Sequence, residues 1–303
     1  MTLFLIGLGL GDEQDISVRG LDTVRACDHV FLDGYTSLLR TDLTRLERLY
    51  GKKVQIADRD LVEEHAERIL EPAKLGKVAF LVVGDVFGAT THHDLVLRAR
   101  KNKIECRFVY NASILTAVGV CGLQLYRFGE TVSLTFWTRT WKPTSWYGKL
   151  AANRRRGLHT LFLLDIRVRE PSEEGLARGR KIFEPPRYMT VANAAQQLLQ
   201  LWHERERVHQ QLSGDVAPDT DEWPLVYDPD TMCIGIARVG QEDELVATGA
   251  LRVLASADFG PPLHSLVMPG EMHAIEEECV GLLESASNLN TKTECMEHAK
   301  EQS

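Results

Sequence analysis

The residues best suited to chemistry begin with a glycine-rich segment near the N-terminus, Gly7-Leu-Gly9-Leu-Gly11-Asp12, directly after an apolar run. Glycines permit positive φ and let backbone N–H groups approach a ligand closely, as in nucleotide-binding loops. The spacing is not G-x-G-x-x-G, and acidic residues follow where a phosphate-binding helix would begin. Asp33, however, ends the second predicted strand, where it could meet a ribose hydroxyl. The segment alone therefore leaves three interpretations open: a tight turn, a dinucleotide site, or a site for another adenosine-containing ligand.

A second polar segment, residues 84–94, follows the most apolar run of the chain and contains Asp85, Gly88 and two histidines. The carboxyl ends of parallel strands are where open α/β sheets bind ligands. A carboxylate there suits ribose hydroxyls or a positive charge. The alternative interpretation makes Asp85 a loop cap, Thr91 the N-cap of the next helix, and the histidines ordinary polar residues.

A third segment, residues 111–114, places Asn111 and Ser113 before a helix of small residues. Either side chain could simply cap that helix. The nucleophile-elbow pattern G-x-S-x-G is absent from this segment, and no Ser-His-Asp order is identifiable, so hydrolase chemistry has no support. No cysteine or histidine spacing is typical of a metal site, so we expect no bound metal. The sequence nominates no catalytic residue.

Hydrophobic periodicity in the first half of the chain predicts short strands that alternate with amphipathic helices. The predicted strands are residues 3–7, 29–33, 53–57, 77–83 and 104–110, and the predicted helices include residues 18–27, 61–73 and 94–100. This alternation indicates a parallel sheet covered by helices. Residues 78–83 are apolar throughout, which indicates a central strand buried on both faces.

The second half predicts a further α/β domain. Its predicted strands are residues 131–137, 159–166, 231–238, 245–248 and 264–268, and its strongest helix is residues 191–203. We therefore expect an N-terminal domain at 1–117 and a second domain at 118–272. Residues 204–230, rich in charge, are expected to form a surface insertion. Residues 273–303 are expected to be a helix followed by a tail that frays from 286.

Composition excludes several classes of protein. The chain has 303 residues and a net charge of −8, so nucleic-acid binding would need a local basic patch, and we expect no direct nucleic-acid partner. The longest apolar run of the chain is far shorter than a membrane span. The apolar residues 1–6 lack the basic region and cleavage site of an export signal, so we expect none. The six cysteines show no C-x-x-C pair. These features favour a reduced, cytoplasmic protein without membrane contact.

Two surface features each have two interpretations. The run Arg154-Arg155-Arg156 is either a solvated helix end or a contact surface for a macromolecular substrate. The aromatic residues between 136 and 147 belong either to a core or dimer interface, or to a rim that binds a cation.

The three polar segments, with two further motifs, resemble the diphthine synthases, which are tetrapyrrole-methylase-like, S-adenosylmethionine-dependent methyltransferases. The motifs lie at residues 5–12, 80–85, 88–92, 110–114, 122–131 and 184–189. The resemblance covers residues 1 to about 270, without the insertion and the tail. It implies two α/β domains with the cofactor in the cleft between them, and a homodimer.

The resemblance also implies S-adenosyl-L-methionine as cofactor and S-adenosyl-L-homocysteine as product. The residues that match the family's cofactor contacts are Leu10, Asp85, Gly88, Ser113, Ile114, Leu164, Val239 and His264. Several of these would bind through their backbone. The chain departs from the family at Val86, where proline is usual after Gly-Asp. Proline would stiffen the loop, so this loop lacks that constraint.

The substrate implied is translation elongation factor 2, at a histidine that carries an amino-carboxypropyl group. The reaction implied is threefold methylation of that amine and, in eukaryotic members, methylation of its carboxylate. Segments 136–143 and 179–190 resemble eukaryotic members, which predicts four methyl groups. The alternatives are trimethylation only, a small-molecule or tetrapyrrole methyltransferase of the same fold, a dinucleotide-dependent oxidoreductase, and a non-catalytic factor that only binds the elongation factor.

Overall fold

The structure is a computed structural model that describes residues 1–36, 41–168, 183–212 and 225–289. Two compact units make up the chain. The first comprises Met1–Ala117, Ile166–Arg187 and Val239–Glu242, and the second comprises Val118–Asp165, Tyr188–Arg238 and Asp243–Ser303. Unlike the predicted domains, the units are discontinuous in sequence. Among the described residues, no helix has the length and apolarity needed to cross a membrane.

The first unit is built on a five-stranded parallel sheet in the order β3-β2-β4-β1-β5. Its strands are Thr2–Gly7 (β1), His29–Asp33 (β2), Gln55–Ala57 (β3), Lys77–Val82 (β4) and Glu105–Val109 (β5). The helices that connect them are Val18–Arg25 (α1), Leu43–Tyr50 (α2), Arg59–Glu63 (α3), Glu67–Leu75 (α4), His93–Lys101 (α5) and Ile114–Ala117 (α6). The predicted parallel sheet covered by helices is confirmed.

Strand β4 shows why this sheet is buried on both faces. Val78, Phe80 and Val82 belong to one hydrophobic cluster, whereas Ala79 and Leu81 belong to another. Successive side chains of a strand point to opposite faces, so an apolar residue at every position supplies both clusters. The central position of β4 follows directly from this pattern.

One predicted helix of the first unit, residues 61–73, is two helices in the structure, α3 and α4. Leu61 and Leu70 are nine residues apart, and at about 100° per residue they would lie on opposite sides of one continuous helix. The break between α3 and α4 allows both side chains to be buried in the same cluster. Core burial therefore outweighs helix continuity here.

The second unit contains a six-stranded mixed sheet in the order β13-β11-β10-β12-β7-β6. Its strands are Val132–Leu134 (β6), Thr160–Leu164 (β7), Met232–Ala237 (β10), Leu245–Ala250 (β11), His264–Met268 (β12) and Glu284–Ser285 (β13). The helices of the second unit are Trp146–Arg155 (α7), Val191–Leu212 (α8), Leu251–Leu254 (α9) and Ala274–Gly281 (α10), and short 3₁₀ turns lie at Val118–Cys121, Leu125–Arg127 and Ala286–Asn288.

Two short strands belong to neither of these sheets. They are Ile166–Arg167 (β8), which lies in the first unit, and Arg187–Tyr188 (β9), and they pair with each other.

Helix α8 corrects the expected surface insertion at 204–230. The helix continues to Leu212, and the Arg205 guanidinium lies 3.3 Å from the centre of the Tyr147 ring. Arg205 is buried, and its cation–π contact stabilises the helix past residue 203, where the apolar periodicity ends. The buried Tyr227 donates a hydrogen bond to the Leu198 carbonyl at 2.8 Å, which packs the end of the expected insertion as well. Residues 213–224 lie outside the described residues.

The aromatic residues between 136 and 147 belong mainly to the core of the second unit. Trp146 and Tyr147 are buried, and Phe136 and Trp137 pack against the same cluster. Trp141 is 53% exposed. These contacts favour the core interpretation over a dimer interface or a cation-binding rim.

The run of arginines divides between two roles. Arg154 donates hydrogen bonds to the carbonyls of Val226 and Pro269, at 3.1 and 2.6 Å, and so ties the end of α7 to two other segments. Arg155 and Arg156 are exposed. The run is therefore partly structural rather than a uniformly solvated helix end.

The tail was expected to fray from residue 286, and this prediction is wrong for residues 286–289. Ala286 is fully buried and Leu289 is 5% exposed, and both belong to the core of the second unit. Two apolar side chains are enough to hold this turn, although the segment lacks an apolar period. Residues 290–303 lie outside the described residues.

Candidate functional site

Three strands of the first unit end side by side and bring the polar segments together. Strand β1 lies between β4 and β5, so the loops after all three strands leave the same edge of the sheet. The backbones of Gly9 and Gly84 exchange two hydrogen bonds, with N···O distances of 3.2 and 2.7 Å. The glycine-rich segment and the Asp85 loop are thereby joined directly.

Asp15 closes the glycine-rich segment on itself. Its carboxylate accepts hydrogen bonds from the backbone N–H groups of Leu10 at 3.2 Å and Gly11 at 2.7 Å. Gly9 has φ +82°, and a Cβ there would come within 2.5 Å of the Asp15 Cβ. Glycine is required because the backbone turns back so closely onto Asp15. A phosphate site needs free N–H groups without a negative charge nearby. Here both N–H groups are already bonded to a carboxylate, so the loop is poorly suited to bind phosphate.

Asn111 holds the other side of the same segment. Its side-chain amide donates hydrogen bonds to the carbonyls of Gly7 and Asp15, both at 3.0 Å. The interpretation of Asn111 as a helix cap is therefore wrong. Asn111 fixes the end of β1 and the acidic segment as one piece.

The Asp85 carboxylate binds two backbone groups from two different loops. One oxygen accepts from the N–H of Phe87 at 3.0 Å and the other accepts from the N–H of Asn111 at 2.9 Å. Asp85 is thus a loop cap, as one sequence interpretation had it, and also a link between the ends of β4 and β5. A carboxylate accepts about four hydrogen bonds, so this half-buried group retains capacity for a ligand.

Gly88 lies directly against Ser113, which is buried. A Cβ at residue 88 would come within 2.6 Å of the Ser113 Cβ and 3.4 Å of the Asp85 Cβ. The structure therefore brings Asp85, Gly88 and Ser113 together, with Ile114 next in the chain. Leu10 joins them, since its Cδ2 lies 3.9 Å from the Cβ position of Gly84.

The segment Val239–Glu242 packs against the glycine-rich loop of the same unit. A Cβ on Gly11 would come within 2.6 Å of the Gly240 carbonyl oxygen, and a Cβ on Gly240 would come within 3.1 Å of the Leu10 Cβ. Val239 is thus adjacent in sequence to a residue that touches Leu10. Six of the eight expected cofactor contacts lie in the first unit at or next to this group: Leu10, Asp85, Gly88, Ser113, Ile114 and Val239.

The other two expected contacts, Leu164 and His264, lie in the second unit. Leu164 ends β7 and His264 begins β12, and the pairing of Ser265 with Leu163 places both at one end of the sheet. His264 Nδ1 accepts from the N–H of Val191 at 3.2 Å, while Nε2 donates to the Pro261 carbonyl at 2.9 Å. Burial lowers the pKa of His264. Both ring nitrogens are hydrogen-bonded within the protein, so we expect a ligand to contact the backbone of His264 rather than its ring.

Asp33 does not lie where a ribose could reach it. Its side chain is fully buried and accepts hydrogen bonds from the N–H groups of Tyr35 and Thr36. His92, treated from the sequence as an ordinary polar residue, is equally buried and donates to Asp33. With Asp15 on the loop N–H groups, these contacts argue against the dinucleotide interpretation.

Residues 2–255 match the family model described as tetrapyrrole (corrin/porphyrin) methylases. A diphthine methyl ester synthase from Homo sapiens is 52% identical over 287 residues, which cover 94% of this chain and 96% of the human protein. A crystal structure provisionally assigned as a diphthine synthase from Entamoeba histolytica is 44% identical, with a TM-score of 0.79 and coverage of 93% and 98%. A crystal structure of a diphthine synthase is 32% identical, with a TM-score of 0.73 and coverage of 95% and 100%.

This chain belongs to the diphthine methyl ester synthases. It is a methyltransferase of diphthamide biosynthesis, and the resemblance carried by its motifs is confirmed. Membership in the diphthine methyl ester synthases also explains why sequence reasoning found so few reactive side chains, because the gathered residues are mostly glycines and apolar residues. Reasoning from the sequence missed the roles of Asp15, Asn111 and His92. The sequence carries no standard turn signal for Asp15, because its carboxylate binds N–H groups four and five residues before it rather than two residues after it.

Proposed function

We propose that this chain transfers methyl groups from S-adenosyl-L-methionine to translation elongation factor 2, at a histidine already extended by an amino-carboxypropyl group. The supporting observation is 52% identity to a diphthine methyl ester synthase across nearly the whole length of both chains. The proposed product is diphthine methyl ester, made by three methylations of the amine and one of the carboxylate. Elongation factor 2 acts in the cytoplasm, which is where we place the reaction.

The geometry of the first unit fits this cofactor. S-adenosylmethionine contains adenosine but no phosphate, and the Leu10 and Gly11 N–H groups that a phosphate would need are held by Asp15. We assign the contacts of the first unit to Leu10, Asp85, Gly88, Ser113, Ile114 and Val239. Leu164 and His264 are the proposed contacts from the second unit. When bound, the cofactor supplies an electrophilic methyl group on a sulfonium.

The role of the protein in this chemistry is to position and desolvate. Methyl transfer from a sulfonium is an in-line displacement in which charge disperses, so orientation and exclusion of water supply much of the acceleration. Asp85 and Asn111 serve that role by joining the loops after β1, β4 and β5 into one frame. The amine must lose a proton before each attack, and water or the substrate's own carboxylate suffices as the acceptor.

The fourth methylation requires no additional base. A carboxylate is already ionised at neutral pH, so it only has to be aimed at the sulfonium methyl group. The curated relatives are named methyl ester synthases, which supports four methyl groups over three. Arg187, exposed and paired with Glu184 at 3.1 Å, is a candidate to orient the substrate carboxylate.

We also propose that the chain forms a homodimer, as the family resemblance implies. The aromatic residues between 136 and 147 do not support this proposal, because most of them pack within the core of the second unit. Light scattering at micromolar concentration tests this proposal independently of catalysis. A mass equal to one 34.1 kDa chain would reject it.

The deciding experiment supplies the purified chain with labelled S-adenosylmethionine and elongation factor 2 from cells that lack this activity. Mass spectrometry of the intact modified peptide, under conditions that spare esters, should find label on one histidine and four added methyl groups. Alkaline treatment should then remove the mass of one ester methyl group. A product that stops at three methyl groups would show trimethylation only. Label on a free heterocycle, with none on the factor, would favour the small-molecule methyltransferase.

A further inference from the structure

The first unit contains a buried pair of titratable groups, Asp33 and His92, that the proposed chemistry does not use. Asp33 ends β2, and His92 ends the loop that follows β4. Strands β2 and β4 are neighbours in the sheet. Both side chains are fully buried, so neither can touch a substrate from where it lies.

Within the described residues, the hydrogen bonds of the Asp33 carboxylate are made to the loops around it. One oxygen accepts from the N–H groups of Tyr35 at 3.1 Å and Thr36 at 3.3 Å. The other accepts from the Thr36 hydroxyl and from His92 Nε2, the latter at 3.2 Å. Because the carboxylate acts only as an acceptor here, the ring proton lies on Nε2. In the described part of the chain, His92 Nδ1 has no hydrogen-bond partner.

Packing fixes the His92 ring in this orientation. Its edge meets the Phe80 ring with centroids 5.0 Å apart, and it packs against the Tyr35 ring with centroids 6.2 Å apart. The loop after β2 is therefore fastened to His92 twice, through the hydrogen bond to Asp33 and through the ring contact with Tyr35.

The fastened loop is the one that carries Asp85 and Gly88. Its internal bonds are few: Asp85 accepts from the N–H of Phe87, and the Thr90 hydroxyl donates to the Val86 carbonyl at 3.1 Å. Ala89 has φ +60°, a conformation that costs energy for a residue with a Cβ and persists only where surrounding contacts impose it. Asp85 anchors one end of this loop, and the fully buried His92 anchors the other end.

We propose that Asp33 and His92 are positioning residues that hold the loop 85–91 in its cofactor-binding conformation. The inference rests on the proposed function, since Asp85 and Gly88 are its cofactor contacts. The pair takes the place of the rigidity that proline would give at position 86. Removing it should weaken cofactor binding while leaving the chemical step intact once the cofactor is bound.

The test compares His92→Leu, which removes the donor but keeps apolar bulk, with His92→Gln, whose amide can still donate to Asp33. His29→Leu is the matched control, because His29 is exposed at the start of β2, at the opposite end of the strand from Asp33. We expect His92→Leu to raise the KM and the Kd for S-adenosylmethionine by roughly five-fold or more. kcat at saturating cofactor should stay within about two-fold of the wild type, and His92→Gln should restore most of the affinity. The control should match the wild type.

A purely structural pair would give a different pattern. It would lower the melting temperature of His92→Leu without changing the KM for the cofactor below that temperature, and this result would overturn the proposal. A loss of kcat at unchanged KM would overturn it as well. If His92→Leu does not fold, Asp33→Asn decides the question, because its carbonyl can still accept from Tyr35. Asp33→Asn should show the same selective rise in KM.

Hydrogen exchange separates this inference from the proposed function. Backbone amides of residues 86–91 should exchange faster in His92→Leu or Asp33→Asn than in the wild type, with no cofactor present. Unchanged exchange in both variants would reject the positioning role. If the wild-type protein binds no S-adenosylmethionine, the proposed function fails, and exchange still shows whether the pair fastens the loop.

Discussion

In the second unit, His159 Nε2 lies 3.1 Å from Glu276 Oε1, and both side chains are buried. The N–H of Gly270 donates to His159 Nδ1 at 2.9 Å, so the ring proton is on Nε2 and the carboxylate accepts it. Glu276 also accepts from the N–H groups of Gln124 at 2.8 Å and His273 at 2.7 Å. One carboxylate therefore joins the start of α10 to two distant segments.

This pair predicts a loss of stability in acid. Burial lowers the pKa of His159 below its ordinary 6.5, despite the opposing effect of Glu276. Below about pH 6.5, His159 therefore binds a proton in the unfolded chain more readily than in the folded chain. The free energy of unfolding falls by up to about 1.4 kcal/mol per unit of pKa difference between the two states. Burial raises the pKa of Glu276, but its hydrogen bonds lower it overall below 4.5, so a second loss begins below about pH 4.5.

Urea unfolding across this pH range measures the effect. We expect the free energy of unfolding to fall from pH 6.5 downward, and His159→Gln to reduce that slope, with His264, whose pKa burial also lowers, carrying part of what remains. His203→Gln, on an exposed histidine of the same unit, is the control and should keep the wild-type slope. A wild-type slope in His159→Gln would contradict the assignment.

Asp85→Ala should weaken cofactor binding by about 1–3 kcal/mol, because a charged hydrogen-bond acceptor is lost. It should also lower stability, since the N–H groups of Phe87 and Asn111 lose their acceptor. Calorimetric titration with S-adenosylhomocysteine, well below the melting temperature, separates the two effects. Asp94→Ala, on an exposed aspartate paired with Arg98, should leave the affinity unchanged. Full affinity in Asp85→Ala would remove this residue from the site.

Gly88→Ala tests the close approach to Ser113. The added Cβ would come within 2.6 Å of the Ser113 Cβ, so one of the two segments must move and cofactor affinity should fall. Gly148→Ala is the matched control, because no atom lies within 4 Å of that Cβ position on α7. The control should gain up to about 1 kcal/mol in stability and keep its affinity. Equal affinity in both variants would mean that residue 88 is not near the cofactor.

Two truncated chains test whether residues 286–289 contribute to the stability of the second unit. A chain that ends at Leu289 should keep its unfolding free energy within about 0.5 kcal/mol. A chain that ends at Ser285 loses Ala286 and Leu289 from the core, and it should be destabilised by about 2–5 kcal/mol. Thermal unfolding of both truncated chains checks this. Equal melting temperatures would contradict the packing of these two residues.

The sequence predicted what depends on periodic burial. The parallel order of the first sheet and the central position of β4 follow from apolar runs that alternate with amphipathic helices, and both are confirmed. Helix α8 was predicted only to residue 203, because the charged residues that follow carry no apolar period. The contact of Arg205 with Tyr147 depends on a residue more than fifty positions away, which a local pattern does not contain.

The candidate site was predictable as a set of segments but not as a set of contacts. The glycines, Asp85 and Ser113 were found because each follows a predicted strand. Asp15 and Asn111 were not recognised, because their partners are backbone groups whose positions depend on the folded loops. His92 was misjudged for a similar reason, since its burial beside Asp33 follows from the order of β2 and β4 in the sheet.

The Asp15 carboxylate also bears on which metabolites can compete for this enzyme. Many abundant cellular compounds share adenosine with the proposed cofactor and differ from it by carrying phosphates. The Asp15 carboxylate, held against the Leu10 and Gly11 N–H groups, would repel such compounds at this loop, whereas glycine-rich loops of other α/β folds bind phosphate there. Selectivity is a difference between two affinities, and at the proposed cofactor site part of it would come from a penalty on the wrong ligand. The acidic residues that make the glycine-rich segment a poor nucleotide motif would thereby favour the proposed methyl donor over phosphorylated compounds.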